Sequence, residues 1–147
     1  MEPREAMERV LFEYCDGIDR GDFARTAALF GTDGIYGLVD ARSVARGSEQ
    51  VLAQFLGSVR TYDGVPRTRH VVTNVVIDVA DDQVSGTARS YVQVLHQPPG
   101  GGPIGPIVVG SYYDRLHIVD DAWQFAERRM HLELVGDLST HLQPGIL

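Results

Sequence analysis

The hydrophobic period of this chain changes part-way along it, from that of a helix to that of a strand. Ala6, Val10, Tyr14 and Ile18, with Met7 and Leu11 beside them, recur at helical spacing over residues 4–19. Gly21 breaks that helix, and Asp22 suits the N-cap of a second one over residues 23–30. After the turn cluster Gly31-Thr32-Asp33-Gly34, residues 35–39 read as a strand. A further helix is expected over 48–59, with Ser48 as N-cap and Val51, Leu52, Phe55 and Leu56 on one apolar face. From residue 68 the period becomes two. Strands are expected over 69–79, 83–97, 107–119 and 122–135, separated by acidic turns and a Pro/Gly-rich loop. Helices first and a long antiparallel meander last make an α+β chain, not the βαβ alternation of a parallel sheet.

The 147 residues suit one domain, 1–147, with a core large enough to need no staple. A formal charge of −7 argues against nucleic acid or an anionic membrane as partner, since phosphates demand clustered Lys and Arg. Arg128-Arg129 is the one basic cluster, and Glu127 adjoins it. The single cysteine, Cys15, lies among apolar neighbours and reads as a packed thiol. The charged start of the chain lacks an apolar signal core, and no stretch reaches the length of a membrane span, so a cytoplasmic location is expected. His117 and His131 have no metal-ligand spacing, and neither a metal nor a cofactor is expected. Pro98-Pro99-Gly100-Gly101-Gly102-Pro103 is expected to form a hairpin loop at a pocket rim. Residues 143–147 are left open between a loose tail and one packed on a neighbour.

Three segments together resemble the SnoaL-like branch of the nuclear transport factor 2-like superfamily. They are Asp19-Arg20-Gly21-Asp22-Phe23 with Ala28-Leu29-Phe30 and Asp33-Gly34; Gly47 with Thr68-Arg69-His70; and Gly110 through Leu116 with Trp123 through Arg129. The resemblance implies a cone-shaped α+β barrel, N-terminal helices packed on a curved, mostly antiparallel sheet. It also implies a small-molecule pocket. The superfamily holds dehydratases, cyclases, isomerases, an epoxide hydrolase and non-catalytic subunits, so the fold leaves the activity to be argued from the site.

In site pattern the chain is most similar to scytalone dehydratase and bile acid dehydratase. The resemblance implies a hydrogen-bonded carboxylate–imidazole dyad of Asp19 and His70. A carboxylate on one ring nitrogen fixes the tautomer and leaves the other nitrogen free to move a proton. Without the resemblance, the structural reading comes first: Asp19 as a helix-terminal carboxylate and His70 as a half-exposed strand residue. Tyr14 matches a functional tyrosine of bile acid dehydratase, with core packing as the alternative. Tyr36 resembles a tyrosine that holds a water in scytalone dehydratase. His96 lies near the place of a second histidine there; alternation puts it on one strand face with Val84, Gly86, Ala88, Ser90, Val92 and Val94, and an exposed histidine is the alternative. Tyr112 and Asp114, in the third segment, join Tyr36 as expected substrate-binding residues. Ile18 stands where scytalone dehydratase has a tyrosine, which argues against scytalone itself as substrate.

The expected function is a cofactor-independent dehydratase, cyclase or isomerase acting on a small cyclic carbonyl compound, with Asp19, His70, Tyr14 and His96 as its catalytic groups. The competing expectation is a ligand-binding or structural subunit of the same fold, in which Asp19 and His70 stand apart. Self-association is expected, because a curved sheet leaves its outer face needing cover, and the resemblance implies a homodimer or a homotrimer.

Overall fold

The computed structural model describes residues 1–146; Leu147 lies outside the described residues, and with it the end of the tail considered above. Helix α1 (Pro3–Asp19) begins with proline at its first position, where a missing N–H costs nothing, and buries Met7, Val10, Leu11, Tyr14 and Ile18. The Asp22 side chain accepts the backbone N–H of Arg25 and so caps α2 (Phe23–Ala28). Strand β1 (Ile35–Leu38) and the two-residue β2 (Ala45–Arg46) precede α3 (Gly47–Ser58). Ser48 does not cap α3. The cap position falls on Arg46, whose backbone N–H is taken by the Gln50 side chain, while Ser48 donates its own N–H to Gly31 O.

Four long strands follow: β3 (Thr68–Val79), β4 (Ser85–His96), β5 (Gly105–Val119) and β6 (Ala122–Val135). The β5–β6 hairpin turns on Asp120 and Asp121, both at positive φ, the backbone that a tight two-residue turn requires. Strand order is β2-β1-β6-β5-β4-β3, antiparallel except where β1 runs parallel to β6. Register shifts interrupt β3–β4, β4–β5 and β5–β6. Such bulges bend their strands, and the sheet curves without closing, its edges being β2 and β3. The cone is therefore an open one.

Along β4 the alternation expected from sequence is realised from Gly86 on: Gly86, Ala88, Ser90, Val92, Val94 and His96 are buried between exposed or half-buried neighbours, whereas Val84 lies before the strand and is exposed. This inner face meets α1, Phe30, Phe55 and Phe125 in one core, which Leu138 joins from beyond the last strand. Close approach of α1 to α2 depends on Gly17, where a Cβ would sit 2.0 Å from Thr26 Oγ1. No helix among the described residues is long and apolar enough to cross a membrane.

Candidate active site

The mouth of the cone opens into a cavity of about 730 Å³, the size of a small-molecule pocket. Much of its wall is apolar, from Ile18, Phe55, Val92, Val94, Leu138 and Leu142. Its polar lining includes Tyr14, Tyr36, Tyr112, His70, His131 and His141, with serines and glutamines between them.

Asp19 meets His70 behind this wall: His70 lines the cavity, and Asp19 does not. Asp19 is the last residue of α1, where a carboxylate faces the negative end of the helix and gains nothing from the backbone dipole. Its position is stabilised instead by three donors from the start of β3. Thr68 Oγ1 donates to Oδ1 at 2.8 Å, the His70 backbone N–H donates to Oδ2 at 2.8 Å, and His70 Nδ1 lies 2.6 Å from Oδ1. Both side chains are about nine-tenths buried. Since an ionised carboxylate only accepts, the neutral ring carries its proton on Nδ1 and its lone pair on Nε2. Among the described residues Nε2 has no hydrogen-bond partner, and His70 lines the cavity. On its other side the pair borders a surface groove carrying Arg20, Arg67 and Arg69.

The tyrosines form a second polar group in the same cavity. Tyr14 OH lies 3.1 Å from Tyr36 OH, whose own contact with Met130 Sδ is a weak 3.5 Å. Burial, with smaller contributions from Tyr36 and Tyr112, pushes the Tyr14 phenol well above its ordinary range, and Arg128 opposes this. Burial likewise lifts Tyr36 and Tyr112. All three remain protonated, and so remain potential donors, through the physiological range.

The remaining expected residues lie elsewhere. His96 is buried and does not line the cavity; Nδ1 faces Arg67 O at 3.0 Å and Nε2 faces Thr140 Oγ1 at 2.9 Å. With both nitrogens engaged it ties the end of β4 to the C-terminal segment, and it is neither the exposed histidine nor the pocket base that sequence allowed. Asp114 also stands outside the cavity wall: it shares the inner face of β5 with Tyr112, but lies two residues further along, in the core opposite Arg128. The two form a bidentate pair, Nε–Oδ1 and Nη2–Oδ2 both 2.8 Å, with neither side chain exposed. Burial works against both charges. It lifts Asp114 above the usual carboxylate range despite Arg128, whereas Asp114 more than offsets it at Arg128 and holds that group high. The two short, parallel bonds fit an ionised pair. The guanidinium lies 3.7 Å from the Tyr112 ring centroid, 4.4 Å from Tyr14 and 4.5 Å from Phe125, so these aromatic faces surround the buried cation. The Pro98–Pro103 loop joins β4 to β5 and gives no residue to the cavity wall, contrary to expectation. Burial pushes the Cys15 thiol up to about 11, which suits a packed thiol rather than a nucleophile. Among the described residues no group of three or more His, Cys, Asp or Glu could hold a metal ion.

Sequence reasoning missed His141. It lies beyond the last strand on a segment with neither helical nor strand period, so no pattern marked it. Burial first, then the nearby His70 and His96, push its pKa down to about 4, with Asp19 opposing. A histidine whose folded pKa is depressed binds more protons in the unfolded chain between the two values. Stability therefore falls as pH drops from about 6.5 towards 4, by up to about 3 kcal/mol from this group. Urea unfolding at pH 7 and near pH 4.5 should show a smaller loss in His141→Gln than in the wild type; equal losses would contradict this assignment.

Residues 1–129 match the SnoaL-like domain. No curated protein sequence matches the chain. Solved structures with the same fold include a candidate scytalone dehydratase from Novosphingobium aromaticivorans, 24% identical over 92% of this chain and 93% of that one, TM-score 0.70. An NTF2-like protein with a cystatin-like fold from the same species is 21% identical over 88% and 80%, TM-score 0.74. ActVI-ORFA from Streptomyces coelicolor is 19% identical over 88% and 96%, TM-score 0.72. At these identities the structures speak for the fold, while the domain match covers most of the sequence. The chain belongs to the SnoaL-like family.

Proposed function

We propose that this protein is a cofactor-independent acid–base enzyme, a dehydratase or a related cyclase or isomerase, acting on a small cyclic compound that bears a carbonyl group. The observation that carries the reading is the 2.6 Å contact between Asp19 Oδ1 and His70 Nδ1 at the wall of a largely apolar cavity. In a dehydration, His70 Nε2 takes the proton from the carbon next to the carbonyl. The C–H electrons form the enolate, whose oxygen accepts a hydrogen bond from Tyr14 or Tyr36. The enolate then reforms the carbonyl and expels the β-hydroxyl, which leaves as water with the proton returned from His70. An aldol-type cyclisation uses the same first step with a different electrophile. Asp19 stays ionised throughout, holding the ring in its tautomer and stabilising the imidazolium.

A binding or structural subunit has no use for a buried imidazole with one nitrogen bonded and the other left towards a cavity, and the close pair favours the enzyme. One solved relative carries the name of a candidate scytalone dehydratase, which agrees with a dehydratase chemistry. We also propose a homodimer or homotrimer, which would cover the exposed Tyr91, Tyr113 and Leu134. The test of the catalytic reading is His70→Ala. In a screen of small cyclic ketones and hydroxyketones, the folded variant should convert nothing that the wild type converts, and equal conversion would refute the dyad.

A further inference from the structure

The cavity wall holds two imidazoles that the mechanism above leaves idle; His131 is exposed and faces Glu133, whereas His141 is the more enclosed. His141 is carried by a turn that is fixed from several sides. Leu138 is in the core, the Arg60 N–H donates to His141 O at 2.8 Å, and the Gln143 N–H donates to Ser58 O at 2.8 Å. Tyr62 OH donates to Thr140 O at 2.6 Å, and Val59 bridges to Leu142. The ring is thus held by ordered backbone rather than presented on a loose tail.

Its two nitrogens differ. Nδ1 is buried and has no hydrogen-bond partner, whereas Nε2 is not sealed off and the residue lines the cavity. A neutral imidazole has one N–H, and an N–H buried without an acceptor is costly. The proton is better placed on Nε2, where cavity water or a ligand can accept its bond. The groups that act on the ring, His70, His96 and Asp19, together with burial, leave it neutral at physiological pH. His70 has the opposite tautomer, with Nδ1–H given to Asp19 and the lone pair on Nε2. One cavity therefore presents an imidazole that accepts and an imidazole that donates.

We propose that His141 donates a hydrogen bond from Nε2 to an oxygen of the bound substrate, while His70 takes the proton from the neighbouring carbon. The substrate class is then a compound with an enolisable carbonyl, its oxygen bound by a neutral donor that keeps its proton. This rests on reading Asp19 and His70 as the proton-transfer pair. A neutral imidazole suits the task, because it stabilises developing negative charge without placing a second full charge beside the base.

Nitrogen-15 NMR of the imidazoles in the full chain, alone and with 2-naphthol as an enol-shaped probe, tests this. His141 is expected to be protonated on Nε2 at neutral pH and not to titrate down to about pH 5. Its resonances and those of His70 should both move when 2-naphthol is added. His141→Ala should weaken naphthol binding about tenfold, and His141→Gln, which keeps a side-chain N–H, should recover most of that loss. A proton on Nδ1, titration like that of an exposed histidine, or resonances unmoved by naphthol would overturn the proposal. Movement at His70 alone would overturn the role of His141 and leave the dyad standing; movement at neither would count against both. The wild-type spectra decide the matter even if His141→Ala does not fold.

Discussion

Asp114→Ala is expected to destabilise the fold by about 3–5 kcal/mol, the cost of leaving a buried cation without its partner. Arg128 is fully buried, and its only carboxylate partner among the described residues is Asp114, which it meets with two bonds of 2.8 Å. Once that carboxylate is removed, the rings of Tyr14, Tyr112 and Phe125 still face the guanidinium, but they offset only part of the lost attraction. Denaturant unfolding measures the loss directly. A double variant, Asp114→Leu with Arg128→Met, removes both charges and should recover much of it. If Asp114→Ala lies within about 1 kcal/mol of the wild type, the pair is not what anchors β5 to β6 under the tyrosines.

Asp19→Asn is expected to lower turnover by about 10³–10⁴-fold while changing the fold and substrate affinity little. The carboxylate accepts from Thr68 Oγ1, the His70 backbone N–H and His70 Nδ1. An amide has one accepting oxygen and one donating nitrogen. If the nitrogen takes the Oδ2 place, it opposes the fixed backbone N–H of His70. If it takes the Oδ1 place, the Thr68 hydroxyl can turn, but His70 must accept at Nδ1 and carry its proton on Nε2. The cavity then faces an N–H where it needs a lone pair. Steady-state kinetics on any compound the wild type converts would show the loss in kcat; an unchanged kcat would mean that the tautomer of His70 does not matter.

Much of the architecture was legible because burial repeats with the period of the element. The apolar stripe of α1 and the alternation along β4 each predicted which side chains are buried. Features that depend on distant partners were not legible. A four-residue strand such as β1 carries no mark of its parallel pairing with β6, and β2 is too short to show a period. The site divides in the same way. Asp19 and His70 were singled out through family-like segments, and the fold does bring them together. His96 was placed on the correct strand face, yet the face alone could not say that a C-terminal hydroxyl would occupy its Nε2. Arg128-Arg129 looked like a basic cluster. Strand alternation separates them, Arg128 inward to Asp114 and Arg129 outward to Glu127, and that could have been read from the period of two. His141 had no such signal, since only the docking of the C-terminal segment brings it to the cavity.

Proton abstraction by His70 can be measured without knowing the natural substrate. Bicyclic 2-tetralone has acidic C–H groups beside its carbonyl, and their exchange in deuterated buffer can be followed by proton NMR. The wild type should accelerate this exchange well beyond buffer alone, and both His70→Ala and Asp19→Asn, folded by circular dichroism, should lose the acceleration. Exchange no faster than in buffer, or equally fast with His70→Ala, would contradict the account of this cavity as a proton-transfer site.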